Sequence, residues 1–147
     1  MPCAAVRAIA AVQDIKSIER TEVKADRVEV SPQSPTEGTY AVSGHFAGVP
    51  WRSRFAYRLH SAGFHSEKVP GERPRSWAIS GGFMVAPLGE QACLVVHYED
   101  YGLPRYLAPL RVLVRRYLHR SMDVELGVLA EMLVDERPTD ETAGGVG

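Results

Sequence analysis

Between Thr39 and Tyr101 the chain passes through a succession of segments with strand character, and the links between them are too short to hold a crossover helix. TYAVSGHFA leads through GVP into the Trp51 run. GFHSEKV follows, then the loop PGERPR, then SWAISGGFMVA, PLGEQ and ACLVVHYEDY. Neighbouring parallel strands need a connection of about a dozen residues or more. The spacing therefore predicts an antiparallel sheet, with PLGEQ at the centre of a hairpin.

Within the run from Trp51 to His60, bulky and basic residues alternate. Trp51, Phe55, Tyr57 and Leu59 fall on one parity, and Arg52, Arg54, Arg58 and His60 on the other. A strand sends successive side chains to opposite faces, so this one presents rings to one side and positive charge to the other. Tyr40, Val42 and Phe46 share a parity on the preceding segment. Gly81-Gly82 inside a strand pattern predicts a bulge or a close approach by another group. A dinucleotide loop does not fit, because there is no GxGxxG and no helix follows.

Helical pattern lies at the two ends. Residues 3–13 are mostly good or tolerable helix formers and read as a short helix. IKSIERTEVKADRVEVS alternates and is rich in Ile, Val and Thr. It reads as a strand to about Val23, a turn at Lys24 to Asp26, and a second strand to Val30; SPQSPTEG is a loop. A long helix is expected from about Pro104 to Val134, with Pro109 kinking it or delaying its start. Leu110, Val114, Tyr117, Val124 and Val128 make one apolar stripe; Leu118, Met122, Leu126, Leu129 and Leu133 make a second. So wide an apolar arc is buried on two sides or faces a partner. The order is helix, about six strands, long helix: an α+β domain with a curved antiparallel sheet wrapped around its last helix.

Composition narrows the function classes. A chain of 147 residues is the size of one domain with a real core, and residues 1–134 are expected to form it. A formal net charge of -1 gives no reason to expect nucleic acid as a partner. Cys3 and Cys93 form no disulfide framework or metal motif and read as reduced thiols in a cytoplasmic protein. The alanine-rich start lacks a basic n-region, so no signal peptide is expected. No apolar run is long enough for a membrane span. The segment from Asp135 is polar, rich in turn formers, and expected to be disordered.

A run of strands ending in VVHYEDYGLP, then the amphipathic helix RYLAPLRVLVRRYLHRSMDVELGVLAEMLVDE, resembles the SRPBCC or START-like superfamily, in its polyketide cyclase/dehydrase-like branch. The resemblance rests on element order over about residues 4–134. It implies a helix-grip fold, usually of seven strands, with a pocket between the sheet and the C-terminal helix. It also implies a hydrophobic ligand, such as a lipid, an isoprenoid or a polyketide-like molecule, and in some members cyclisation or aromatisation. The first strand of that pattern is not found here. Either the start is placed too late or the expected sheet has an unpaired edge, which would invite association, with a homodimer as one outcome.

Three functions fit these features: binding of a hydrophobic small molecule, a polyketide cyclase or dehydratase, or an interaction module without a ligand. For the first, Tyr40, Trp51, Phe55, Tyr57, Trp77, Ile79, Phe83 and Tyr117 are the candidate pocket walls. Trp N–H and Tyr O–H would orient a flat apolar ligand; the alternative is a solid core. His97 and Glu99 share one face of HYED and count with the walls as ligand contacts; such a pair can do acid–base work, or it sits on a solvated face. His45, His60, His65, His97 and His119 show no HExxH-type spacing, so no metal and no cofactor is expected. There is no GxSxG elbow, and Ser66 cannot pair with the adjacent His65 along a strand. Arg111, Arg115, Arg116, His119 and Arg120, followed by Asp123, Glu125, Glu131 and Asp135, read as a solvated charged face or a docking patch for an anionic partner. Arg52, Arg54 and Arg58 would extend that patch.

Overall fold

The computed structural model describes residues 1–135. Helix α1 (Ala5–Gln13) leads through a 3-10 turn at Ile15–Ser17 into the single-turn helix α2 (Ile18–Thr21). Six strands follow: β1 (Arg27–Pro32), β2 (Glu37–Phe46), β3 (Val49–His60), β4 (Gly63–Lys68), β5 (Ala78–Gly89) and β6 (Ala92–Gly102). A second 3-10 segment, Arg105–Leu110, feeds helix α3 (Arg111–Asp135). All six strands form one antiparallel sheet whose spatial order is the chain order. Short links leave each strand no neighbour other than the next one along the chain.

The stretch expected as a strand up to Val23 is helical instead. Ile15 and Ile18, three residues apart, are both buried, with Ser17 and Thr21 beside them. Asp14 accepts from the Lys16 N–H, and the Thr21 hydroxyl donates to the Ser17 carbonyl. Glu19 then receives the Val28 N–H at 2.6 Å and ties the helical segment to β1. Tertiary burial overrides the β preference of Ile and Thr here. The β2–β3 turn also shifts, from GVP to Ala47-Gly48. Both residues have positive φ, 49° and 80°, as the two-residue hairpin turns that match strand twist require.

On β3 the expected parity holds. Ser53, Phe55 and Tyr57 are buried, while Arg52, Arg54 and Arg58 are exposed. The core joins these rings to Tyr40, Val42, Phe64, Phe83, Val85 and Val95 from the sheet. Ala8, Val12, Ile15 and Ile18 come from the N-terminal helices, and Leu129 and Leu133 from α3. Gly82 is a close approach and not a bulge: a Cβ there would lie 2.1 Å from the Phe64 carbonyl oxygen, and the register through it is regular.

Pro109 delays the start of α3, since it falls in the preceding 3-10 segment. The side of α3 turned to the interior is a row at four-residue steps, Ser121, Glu125, Leu129 and Leu133. The second predicted stripe supplies Leu129 and Leu133 to this row and flanks it with half-buried Leu118, Met122 and Leu126, while Leu110 and Val124 of the first stripe are exposed. The helix extends through Asp135; the remainder of the expected disordered tail lies outside the described residues.

At the other end of the chain, Met1 and Cys93 exchange both backbone hydrogen bonds along the outer side of β6. Cys3 and Cys93 are buried free thiols with their sulfurs 3.4 Å apart. No helix among the described residues is long and apolar enough to cross a membrane.

Candidate functional site

Two spaces that share Trp51, Ile79 and Tyr101 in their walls lie beside the sheet. The inner one is a chamber of about 50 Å³ between α2, the sheet and α3. Tyr40, Phe55, Phe64 and Phe83 line it, and one end is polar: Glu22, His97, Glu99 and Glu125. Strand alternation explains His97 and Glu99, which share the inward face of β6. Glu125 arrives from α3 in the buried row. Lys24 joins the group because its backbone lies directly over Gly44, where a Cβ would sit 1.9 Å from the Lys24 carbonyl oxygen. That carbonyl also accepts from the Trp51 indole N–H at 3.0 Å. Only a residue without a side chain at position 44 lets the segment come so near the sheet and send the lysine inward.

The Lys24 ammonium is almost completely enclosed. Its Nζ lies 2.8 Å from Glu125 Oε1, 3.1 Å from Glu99 Oε1 and 3.6 Å from Glu22 Oε1, and it donates to Ser121 Oγ at 2.9 Å. Ser121 in turn donates to Glu125 Oε1 at 2.7 Å. Burial disfavours the charged form of each group. It pushes the Glu22 carboxyl up to about 8 against the pull of Lys24, and it raises Glu99 as well. It also works against the charge on Lys24, but Glu22, Glu99 and Glu125 outweigh it and hold the ammonium above its usual range. Burial lowers His97 to about 4; Glu125 opposes this and Lys24 adds to it. The imidazole is therefore neutral at pH 7. Its ring stacks on Phe83 with centroids 4.1 Å apart and planes 9° from parallel. Tyr40 and Tyr101 are raised by burial first and by the nearby carboxylates next.

The outer space is a bay of about 920 Å³ formed by the β2–β3 hairpin, the β4–β5 loop, the first part of β5 and Tyr101. Phe46, Trp77 and Tyr101 build its aromatic side: Phe46 meets Trp77 edge-on at 5.8 Å, and Trp77 meets Tyr101 edge-on at 6.4 Å. Arg52, Arg73 and Arg75 stand on its border. Trp51, Ile79 and Tyr101 line both spaces. The roomier space thus lies at the open end of the sheet, and not between the sheet and the C-terminal helix as expected from sequence.

Eight of the ten expected ligand contacts line one space or the other. Tyr40, Phe55, Phe83, His97 and Glu99 line the chamber, Trp77 lines the bay, and Trp51 and Ile79 line both. Tyr57 and Tyr117 line neither: Tyr57 is buried beside Tyr40, and Tyr117 packs on Phe46 at 4.8 Å. His97 and Glu99 are not solvated; their side chains are 6% and 8% exposed. Reasoning from sequence misses Glu22, Lys24 and Glu125. Glu125 resembles the solvated acids of the helix, although its four-residue spacing from Ser121 and Leu129 places it on the buried row. The five basic residues of α3, Arg111, Arg115, Arg116, His119 and Arg120, are exposed as expected.

No protein-family model and no curated protein matches the chain. Solved structures do. TTHA0849 of Thermus thermophilus aligns at a TM-score of 0.74 and 17% identity, covering 92% of each chain. The ZhuI aromatase/cyclase of Streptomyces sp. R1128 aligns at 0.72 and 12% identity, over 96% of this chain and 93% of that one. A STAR-related lipid transfer protein from Xanthomonas axonopodis aligns at 0.56 and 15% identity, over 91% and 81%. The fold is the helix-grip fold seen in the aromatase/cyclase structure, here with six strands.

Proposed function

We propose that the protein binds a hydrophobic small molecule in the outer bay, with the inner chamber as the polar end of the same site. The observation that carries this reading is the bay itself. A space of about 920 Å³ walled by Phe46, Trp51, Trp77 and Tyr101 is the size and character of small-molecule sites, and a solid core would have filled it. The inner chamber, at about 50 Å³, holds a water, an ion or the tip of a ligand. The ligand class is a lipid, isoprenoid or polyketide-like ring system with its apolar body in the bay. Arg52, Arg73 and Arg75 suit an anionic or carbonyl-rich outer end. Affinity comes from apolar burial, roughly 25 cal/mol per Å² before ordering costs. The fold's occurrence in an aromatase/cyclase and in a lipid transfer protein agrees with this reading.

A fluorescent apolar dye and a panel of fatty acids, isoprenoids and aromatic polyketide analogues test it. Saturable binding of the dye, displaced by a member of the panel and weakened by Trp77→Ala, supports the site. Absence of saturable binding across the panel rejects it.

A second reading, a cyclase or dehydratase, is favoured by one observation. His97, neutral, and Glu99, with its carboxyl raised by burial, both line the chamber. A base and an acid at the closed end of an apolar site suit enolisation and dehydration. Conversion of a linear poly-β-ketone analogue, lost in Glu99→Gln but with the analogue still bound, distinguishes enzyme from carrier.

A further inference from the structure

The charges in the inner chamber do not balance. Three carboxyl groups, Glu22, Glu99 and Glu125, surround one ammonium, Lys24. Glu99 and Glu125, with side chains 8% and 1% exposed, share that one cation. Buried charge without a partner is strongly unfavourable, so the chamber must take up protons or a cation.

The geometry favours one side of the cluster. Lys24 engages the Oε1 atoms of Glu99 and Glu125. The other oxygens, Glu99 Oε2 and Glu125 Oε2, are buried without a hydrogen-bond partner, and so is His97 Nδ1. The side chains that carry these atoms are 8%, 1% and 6% exposed. His97 Nδ1 and Glu125 Oε2 are 3.3 Å apart yet not hydrogen-bonded. Two ligand atoms bound at about 2.0–2.1 Å with a tetrahedral angle between them stand roughly that far apart. One ligand atom from each of His97, Glu99 and Glu125 can be chosen so that all lie within 4.8 Å of one another.

We propose that His97, Glu99 and Glu125 bind a divalent transition-metal ion, with Lys24 on the opposite side of the two carboxylates as their fixed counter-charge. One imidazole nitrogen and two carboxylate oxygens suit zinc, iron(II) or manganese(II). The charge of the ion offsets what Lys24 alone leaves uncompensated on Glu99 and Glu125. Phe83 holds the imidazole plane, and Lys24 and Ser121 hold the carboxylates by their other oxygens, which is how supporting residues orient metal ligands. Three protein ligands leave a coordination position open toward the chamber, where a ligand oxygen or a water would bind. The site stands on these side chains alone and does not depend on what fills the bay.

The test uses untagged protein stripped with a chelator and dialysed. Zinc is titrated calorimetrically, and cobalt(II) is followed by its visible ligand-field absorption. The expected result is saturation at one equivalent in both, with zinc displacing cobalt. His97→Ala and Glu99→Gln are each expected to weaken zinc by about 100-fold, whereas His45→Ala, on the exposed pair with Asp26, leaves it unchanged. Glu99→Gln preserves side-chain shape and keeps the result readable where His97→Ala fails to fold. A stripped wild type with no saturable zinc heat and a featureless cobalt spectrum overturns the proposal. So does full affinity in folded Glu99→Gln.

Discussion

The chamber and the bay share Trp51, Ile79 and Tyr101 and differ in nearly every other respect. The chamber is small, largely buried and held together by charge; the bay is large, open and walled by rings with arginines at its border. In the chamber one ammonium, Lys24, answers to Glu22, Glu99, Glu125 and Ser121, so a single substitution disturbs the whole group. In the bay the rings contribute area additively, and a missing one is partly replaced by solvent or by movement of the ligand. One fold has thus placed a site sensitive to chemistry behind a site sensitive to shape.

Substitutions on each side of the shared wall can break or sharpen this contrast. Lys24→Met has the largest expected effect. It leaves the buried carboxylates without their cation, at about 3–5 kcal/mol of folding stability, measured by urea denaturation at pH 7. A loss below about 1 kcal/mol would mean that the chamber is more hydrated than its burial indicates. Trp51→Ala comes next, because the residue belongs to both spaces and its indole holds the Lys24 carbonyl. Dye affinity is expected to fall about tenfold, or ~1.4 kcal/mol, with a visible drop in melting temperature.

Trp77→Ala should lower dye affinity a few-fold, in keeping with aromatic contacts worth about 0.5–1.5 kcal/mol. The melting temperature stays close to wild type, since this ring serves the bay alone. If Trp77→Ala destabilises as much as Trp51→Ala, the two spaces are one packed unit. Arg75→Gln has the smallest effect: at most a few-fold loss for an anionic ligand and none for its neutral ester, as expected of an exposed charge.

Much of the sheet was legible in the sequence because its signals are local. Alternation along Trp51–His60, the short links and the turn formers each specify structure within a few residues. The inward parity of Trp51, Phe55, Tyr57, His97 and Glu99 follows from the same alternation. Three features were not legible. Residues 15–21 read as a strand from their Ile and Thr content, although the three-residue step from Ile15 to Ile18, both buried, is helical spacing. The hairpin at Ala47-Gly48 was masked by Pro50, a stronger turn signal that sits inside β3. The ionic cluster joins residues from 22 to 125, and no periodicity announces that Lys24 and Glu125 meet. Gly44 carried a faint sign, a glycine in the middle of a strand pattern, which marks a place where another backbone comes close.

The order of the strands also bears on how the molecule assembles. Each strand pairs with its successor, so the sheet closes through short loops at little entropic cost. Such topologies fold faster than those that depend on distant pairings. The contacts between Lys24 and Glu125 bridge 101 residues, and they require α3 to have docked. If the sheet forms first, dehydration of the charged cluster is a late step. Weakening the cluster should mainly accelerate unfolding and leave the folding rate nearly unchanged. The buried lysine would then act as a latch on a sheet that is already built, and set how long the native state persists.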